Sequence, residues 1–212
     1  MIKKECNYKI SLDLAAVIKS YIKGRVLDIG TGDGSKLAFI LEDSRFKEAI
    51  ALEPDSAKIA SAGKLFRVDS RVELINTDLE NLPQNIGQFD VITMFEVIEH
   101  LPLSELDRYI RKIKELLIDG GVIIISSPNR CIYRLICNIG LDSPEPTHLS
   151  EMNWLELRRV MKRYFTEQIF KGVLPGMNIA RRGPLLYGLF SILNKNFSNL
   201  AISRALYWIG KK

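Results

Sequence analysis

The sequence predicts one α/β domain with a doubly wound, mostly parallel sheet and a basic, helical appendage at its C-terminal end. Three observations lead there. From residue 25 onward, short β-branched runs alternate with stretches of helical periodicity, the pattern of βαβ units whose strands are covered on both faces. The first run, VLDIGTGDG at 26–34, passes from a strand into a glycine turn that opens a helix. With 47% hydrophobic and 26% charged residues over 212 positions, the chain has the composition of a single well-buried core.

Taken in order, YKISLDLAAVIKSYIK at 8–23 reads as a helix packed at the edge of the sheet. RVLDIG (25–30) is the first strand, and the glycine turn leads into a helix over 34–42. EAIALE (48–53) and a helix over 55–66 repeat the unit, and strands follow at 71–76 and 89–95. The helix over 103–118 has the clearest signature: Leu106, Tyr109, Ile110, Ile113, Leu116 and Leu117 recur at three- and four-residue steps, and two glycines at 120 and 121 stop it. GVIIISS (121–127) is the fifth strand, followed by a helix over 153–163 and a strand over 165–173. The domain is thus expected to fill 1–173, with 174–212 as its basic, aromatic-rich helical extension.

Cys6, Cys131 and Cys137 form no CxxC pair, and no secretory signal is read, so a reduced, cytoplasmic setting is expected. No apolar run approaches the roughly 20 residues that span a bilayer. The formal net charge of +5 divides unevenly: no acidic residue follows Glu167, where seven cations lie, so residues 1–167 carry 23 basic against 25 acidic groups.

A glycine turn after a strand commonly cradles phosphate. Here the spacing is GxGxG rather than GxGxxG, Asp28 precedes the turn and Asp33 interrupts it. Two negative charges a few ångströms apart in a partly buried site repel by about several kcal/mol, which disfavours a diphosphate and suits a cation. S-adenosylmethionine brings an ammonium and a sulfonium beside an adenosine, and Asp28, Gly30, Thr31, Gly32 and Gly34 are the residues expected to receive it. Glu53, followed by Pro54, ends the second strand, where a carboxylate can accept from both ribose hydroxyls. Asp78, after the third strand, can accept from the adenine amino group, with the Leu79 backbone beside the ring.

On these residues the sequence resembles the class I S-adenosylmethionine-dependent methyltransferases over roughly 24–165. The resemblance rests on VLDIGTGDG, ALEPD, TDLENLP, FDVITMFEVIEHLP and GGVIIISSPN, met in that order. It implies a Rossmann-like fold and transfer of a methyl group to an oxygen or nitrogen of a small acceptor, leaving S-adenosylhomocysteine. Methyltransferases of small molecules and quinone precursors share the pattern.

In open parallel sheets ligands occupy the crevice beyond the carboxyl ends of the strands, so FEVIEHLP should face the cofactor's methyl group. Phe95 and Glu96 are then expected at the cofactor, with Glu99 and His100 beside the acceptor. Methyl transfer is an in-line displacement at an activated carbon; a general base is needed only where the acceptor is a hydroxyl or a protonated amine. His100 is a candidate for that base, as is His148 in EPTHLSEMNW, a loop that resembles the segment closing over the acceptor in this superfamily. Structural roles stay open for both: His100 capping its turn, His148 orienting its loop.

No metal is assigned from the sequence, although one alternative keeps a metal in view. Glu96, Glu99, His100 and His148 also resemble the ExxEH-plus-His pattern with which small-RNA 3′-terminal 2′-O-methyltransferases hold Mg²⁺ or Mn²⁺, which would make nucleic acid the acceptor. The aromatic surroundings of the second histidine in that family are replaced here by Leu149, Ser150 and Met152. A domain that binds the cofactor without turnover is the remaining alternative.

The C-terminal segment interleaves Tyr187, Phe190, Phe197, Tyr207 and Trp208 with its cations. Positions 197, 200, 201, 205, 208 and 209 fall in one helical stripe, so an amphipathic C-terminal helix is expected. Three roles are open for it: covering the acceptor pocket or making a homodimer contact, peripheral membrane contact through 185–212, and, least favoured, a nucleic-acid groove.

Overall fold

A computed structural model of the chain describes residues 12–42, 44–83, 85–140, 142–173, 200–201 and 203–212. Helix α1 (Leu12–Tyr21) leads into β1 (Lys23–Ile29), α2 (Ser35–Leu41), β2 (Arg45–Leu52), α3 (Ser56–Phe66) and β3 (Val72–Ile75). Strand β4 (Phe89–Phe95) ends in a short 3₁₀ turn, Ile98–His100. Then come α4 (Leu106–Leu116), β5 (Leu117–Pro128), α5 (Arg130–Asn138), α6 (Trp154–Met161), β6 (Thr166–Val173) and β7 (Ala205–Lys211). The seven strands form one sheet in the order β3-β2-β1-β4-β5-β7-β6. Strands β1 to β5 pair in parallel, and β7 runs antiparallel to both β5 and β6.

Successive side chains of a strand point to opposite faces, so an all-apolar strand feeds two cores at once. Val91 and Phe95 of β4 and Val122 and Ile124 of β5 pack on one face with Leu14, Ile18, Leu37 and Ile40 from α1 and α2. Ile92 and Met94, with Ile123 and Ile125, pack on the other with Ile110 and Ile113 of α4 and Leu157 of α6. Each such side chain, fully buried, contributes about 1.5–3 kcal/mol. This two-sided core is the doubly wound arrangement the sequence predicts.

Three expectations need correction. Helix α4 stops at Leu116, because Leu117 already pairs with Phe89 as the first residue of β5; the two glycines lie inside that strand, Gly120 at φ +77°. Helix α5 had no counterpart in the sequence reading. The third concerns the C-terminal segment.

The amphipathic helix expected near the C-terminus is a strand at 205–211. β7 fills the sheet between β5 and β6, with Leu206, Trp208 and Ile209 fully buried. ALYWIG is a continuous apolar run, as a strand covered on both faces requires; its members at 205, 208 and 209 happen to match a helical stripe as well. The Trp208 indole N–H donates to Glu167 Oε2 at 3.0 Å, which satisfies its one polar atom, and Arg158 holds the same carboxylate from α6. Residues 205–210 are therefore core and present no lipid-facing surface. Residues 174–199 and 202 of the expected segment lie outside the described residues. Among the described residues no helix is long and apolar enough to cross a membrane.

Candidate active site

The strand order reverses its direction of growth between β1 and β4. Helix α2, which follows β1, packs on one face of the sheet, and α4, which follows β4, packs on the other. The loops leaving these neighbouring strands therefore part, and a crevice opens beyond their carboxyl ends. A cleft of about 710 Å³ occupies this place. On one side it is walled by the glycine bend and Lys36, on another by Glu53, Pro54, Asp55 and Lys58, and on the third by Phe95, Glu96, Val97, His100 and Thr147.

The bend needs its glycines. Gly30, Gly32 and Gly34 all have positive φ, and a Cβ on Gly30 would stand 2.5 Å from Val97 Cγ2. One on Gly34 would meet Phe66 at 2.8 Å. Three amides of the bend are engaged: Thr31 N–H donates to Leu52 O (2.9 Å), Gly34 N–H to Thr31 O (3.0 Å) and Gly32 N–H to Glu53 Oε2 (2.9 Å). Glu53 Oε1 accepts from Asp55 N–H at 3.0 Å, so this buried carboxylate ties the bend to the end of β2.

Asp28 lies beneath the bend, only 2% exposed, so it acts on the cleft as a buried charge rather than as part of its wall. Parallel register sets it beside Thr93 of β4, whose hydroxyl donates to its Oδ1 at 2.6 Å. Burial pushes its carboxyl up to about 6; the Thr93 hydroxyl and the Lys36 ammonium offset part of that, and the Glu53 charge adds to it.

At the end of β4, Glu96 holds φ +57°, a left-handed conformation that costs a non-glycine residue about 1–3 kcal/mol. Ser126 of β5 keeps it there: its carbonyl accepts from Glu96 N–H at 3.0 Å, and its hydroxyl donates to Glu96 Oε1 at 2.6 Å. The chain then turns so that Glu99 points inward, fully buried, with neither carboxylate oxygen hydrogen-bonded among the described residues. The nearby Ser127 hydroxyl slightly favours the ionised form, yet its hydrogen bond goes to Pro128 O. Burial first, and the Glu96 charge second, hold the Glu99 carboxyl well above the usual carboxylate range.

The 142–153 loop is stapled over this turn. Leu149 and Ser150 N–H both donate to Glu99 O (2.8 and 2.9 Å), and the Ser150 hydroxyl donates to Ile98 O (3.0 Å). His100 Nδ1 lies 3.0 Å from Thr147 O, and since a carbonyl only accepts, Nδ1 carries the proton. His148 Nδ1 is held at 2.9 Å by Glu151 Oε1 in the same way. The two rings meet edge-on at 5.0 Å, each with Nε2 left as its other nitrogen. One ligand atom from each of Glu99, His100 and His148 falls within 4.8 Å of the others, a carboxylate and two imidazoles that fit a divalent metal.

Thus the structure gathers Gly30, Thr31, Gly32, Glu53, Pro54, Phe95, Glu96 and His100 around one cleft, and Glu99 and His148 join His100 at its end. Gly34 stands behind the bend as a packing residue. Glu96, which the metal pattern included, is outside the three-residue cluster and is engaged by Ser126. Asp78 and Leu79 are not among the walls: Asp78 Oδ1 accepts from the backbone and side chain of Asn81, and the Leu79 side chain is in the core. Sequence reasoning missed Lys36, Thr147 and Glu151. Lys36 follows the bend directly and Glu151 stands three residues after His148, both usable signals; Thr147 is placed by loop geometry alone.

A family model described as a methyltransferase domain matches residues 11–164. The chain belongs to this family, within the class I S-adenosylmethionine-dependent methyltransferases. Among relatives of this methyltransferase family, a Mycolicibacterium smegmatis protein provisionally named an S-adenosylmethionine-dependent methyltransferase is 30% identical, over 73% of this chain and 57% of its own. A ubiquinone biosynthesis O-methyltransferase of Xanthomonas campestris is 32% identical, over 57% of this chain and 50% of its own. The chain thus spans about half the length of these curated relatives. Of solved structures, the N-methyltransferase NodS from Bradyrhizobium japonicum superposes with a TM-score of 0.65 at 14% identity, covering 94% of this chain and 93% of that one, a likeness of fold.

Proposed function

We propose that this methyltransferase moves the methyl group of S-adenosylmethionine to an oxygen atom of a small acceptor. One observation carries the reading: Glu99, His100 and His148 converge at the end of the cleft where the methyl group would face, and a base there serves an acceptor that must lose a proton, a hydroxyl or a protonated amine, of which we take the hydroxyl. Glu53 receives the ribose at one end of the cleft. Phe95 and Glu96 flank the sulfonium, and the acceptor enters under the 142–153 loop. As the acceptor oxygen attacks the methyl carbon, the carbon–sulfur bond breaks and its electron pair returns to sulfur, giving S-adenosylhomocysteine. The acceptor's proton passes to an imidazole Nε2, since both Nδ1 atoms are already protonated and held. The O-methyltransferase among the relatives supports the same choice.

A second reading of the same cluster is favoured by the orphaned oxygens of Glu99. Glu99, His100 and His148 would hold a divalent cation, with Glu151 and Thr147 O fixing the two imidazoles from behind. Such an ion would lower the pKa of an acceptor hydroxyl.

The test is methyl transfer from labelled S-adenosylmethionine to a library of phenols, catechols, alcohols and amines. Label is expected on oxygen, and His100→Ala should lower turnover by about 10²- to 10⁴-fold while leaving S-adenosylhomocysteine affinity within about twofold. Label on amines alone, or full turnover by His100→Ala, would overturn the reading. Turnover unchanged in chelator would remove the metal and keep the imidazole.

A further inference from the structure

The cleft is rich in acid. Asp33, Glu53, Asp55 and Glu96 line it, Asp28 and Glu99 are buried beside it, and among the described residues of its walls only Lys36 and Lys58 carry positive charge. Lys58 stands in the first turn of α3, at the Glu53 end. Lys36 is at the other end. Its ammonium does not run out to solvent; it folds across the cleft and donates to Phe95 O at 3.2 Å, close enough to Asp28 and Glu99 to favour the ionised form of each.

S-adenosylmethionine carries a carboxylate as well as its two cationic groups. In so acidic a cleft that carboxylate needs a donor, and four amides at the glycine bend are already engaged: those of Thr31, Gly32 and Gly34 donate to Leu52 O, Glu53 and Thr31 O, and that of Ser35 donates to Asp33 Oδ1. Lys36 is a cation at the end of the cleft away from the ribose, and an ammonium has three protons, of which Phe95 O takes one.

We propose that Lys36 is the residue that receives the α-carboxylate of the cofactor's amino-acid tail, making the cleft selective for a zwitterionic tail over a purely cationic one. This rests on the cofactor reading above. The bland alternative is a brace: Lys36 holds the end of β4 and offsets Asp28 and Glu99, and touches no ligand.

Calorimetric titration with two ligands separates these roles. S-adenosylhomocysteine carries the carboxylate; S-adenosyl-3-thiopropylamine is the same molecule without it. The wild-type protein should bind the first about 10- to 100-fold more tightly, the range a charge-assisted hydrogen bond supplies. Lys36→Met should lose that preference, through weaker binding of S-adenosylhomocysteine with the decarboxylated ligand within about threefold of wild type. Lys36→Arg, which keeps the charge, should restore part of the preference. Equal losses for both ligands, or no loss for either, would overturn the proposal in favour of the brace. A wild-type protein that binds neither ligand would instead overturn the cofactor reading itself, an outcome visible before any variant is made.

Discussion

Replacing Asp28 by Asn should stabilise the ligand-free protein at neutral pH while weakening its hold on a cationic cofactor. Asn keeps an oxygen to accept from the Thr93 hydroxyl, which now lies 2.6 Å from Asp28 Oδ1, and it removes a charge that is 2% exposed. The sign follows from the raised carboxyl, displaced by burial from 3.8 to about 6. A folded state that holds its proton more tightly than the unfolded chain enjoys the full benefit below 3.8 and loses it as pH rises through about 6. That gap corresponds to about 3 kcal/mol of stability given up by neutral pH. Because Asn does not titrate, the stability of Asp28→Asn minus that of wild type should grow by about 2–3 kcal/mol between about pH 4 and pH 7.5, with all other titrations cancelling in the difference. Denaturant unfolding at several pH values measures it. Parallel curves for the two proteins would show that Asp28 titrates as an ordinary carboxyl and that the buried charge beneath the bend is a fiction. The same charge should strengthen cofactor binding in wild type as pH rises from about 5 to 7, and that rise should be absent in the Asn variant.

Other substitutions probe separate parts of the cleft. Glu53→Gln should weaken S-adenosylhomocysteine by about 1–3 kcal/mol in calorimetry, as a charged acceptor is lost, whereas unchanged affinity would place the ribose elsewhere. Gly34→Ala should cost about 2–4 kcal/mol in denaturant unfolding, since φ is +78° and the new Cβ would meet Phe66 at 2.8 Å and Ala62 Cβ at 3.0 Å. Gly63→Ala, inside α3 with its nearest contact an ordinary 3.8 Å, should instead stabilise by about 0.5–1 kcal/mol. Loss of stability at Gly63 would show that the helix packs more tightly there than the structure has it.

What the sequence made legible was local. Strands such as 89–95 and the bend at 30–34 announce themselves because strand burial and positive φ constrain residue type directly. The ExxEH turn was legible for the same reason, as its residues are adjacent in the chain. In the tail, ALYWIG satisfies two periods at once, and only its partners β5 and β6 decide between them. At Leu117 the boundary is not legible, since an apolar residue there serves α4 and β5 equally. Helix α5 escaped although Ile132, Tyr133, Ile136 and Ile139 follow a three- and four-residue rhythm behind Pro128 and Asn129, which was a usable signal. Thr147 acts on His100 through a contact that closes a long loop over the 3₁₀ turn, and no spacing in the chain encodes it, whereas Glu151 stands three residues after the histidine it holds.

The crystal structure of the protein with S-adenosylhomocysteine bears most directly on the central claim, that an acid-walled glycine cleft at the β1/β4 switch point takes a sulfur nucleoside and aims its methyl position at the Glu99, His100 and His148 cluster. It should show the ribose hydroxyls on Glu53 and the sulfur facing the turn at 96–100. Ribose density away from Glu53, or a sulfur pointing away from His100, would contradict the account.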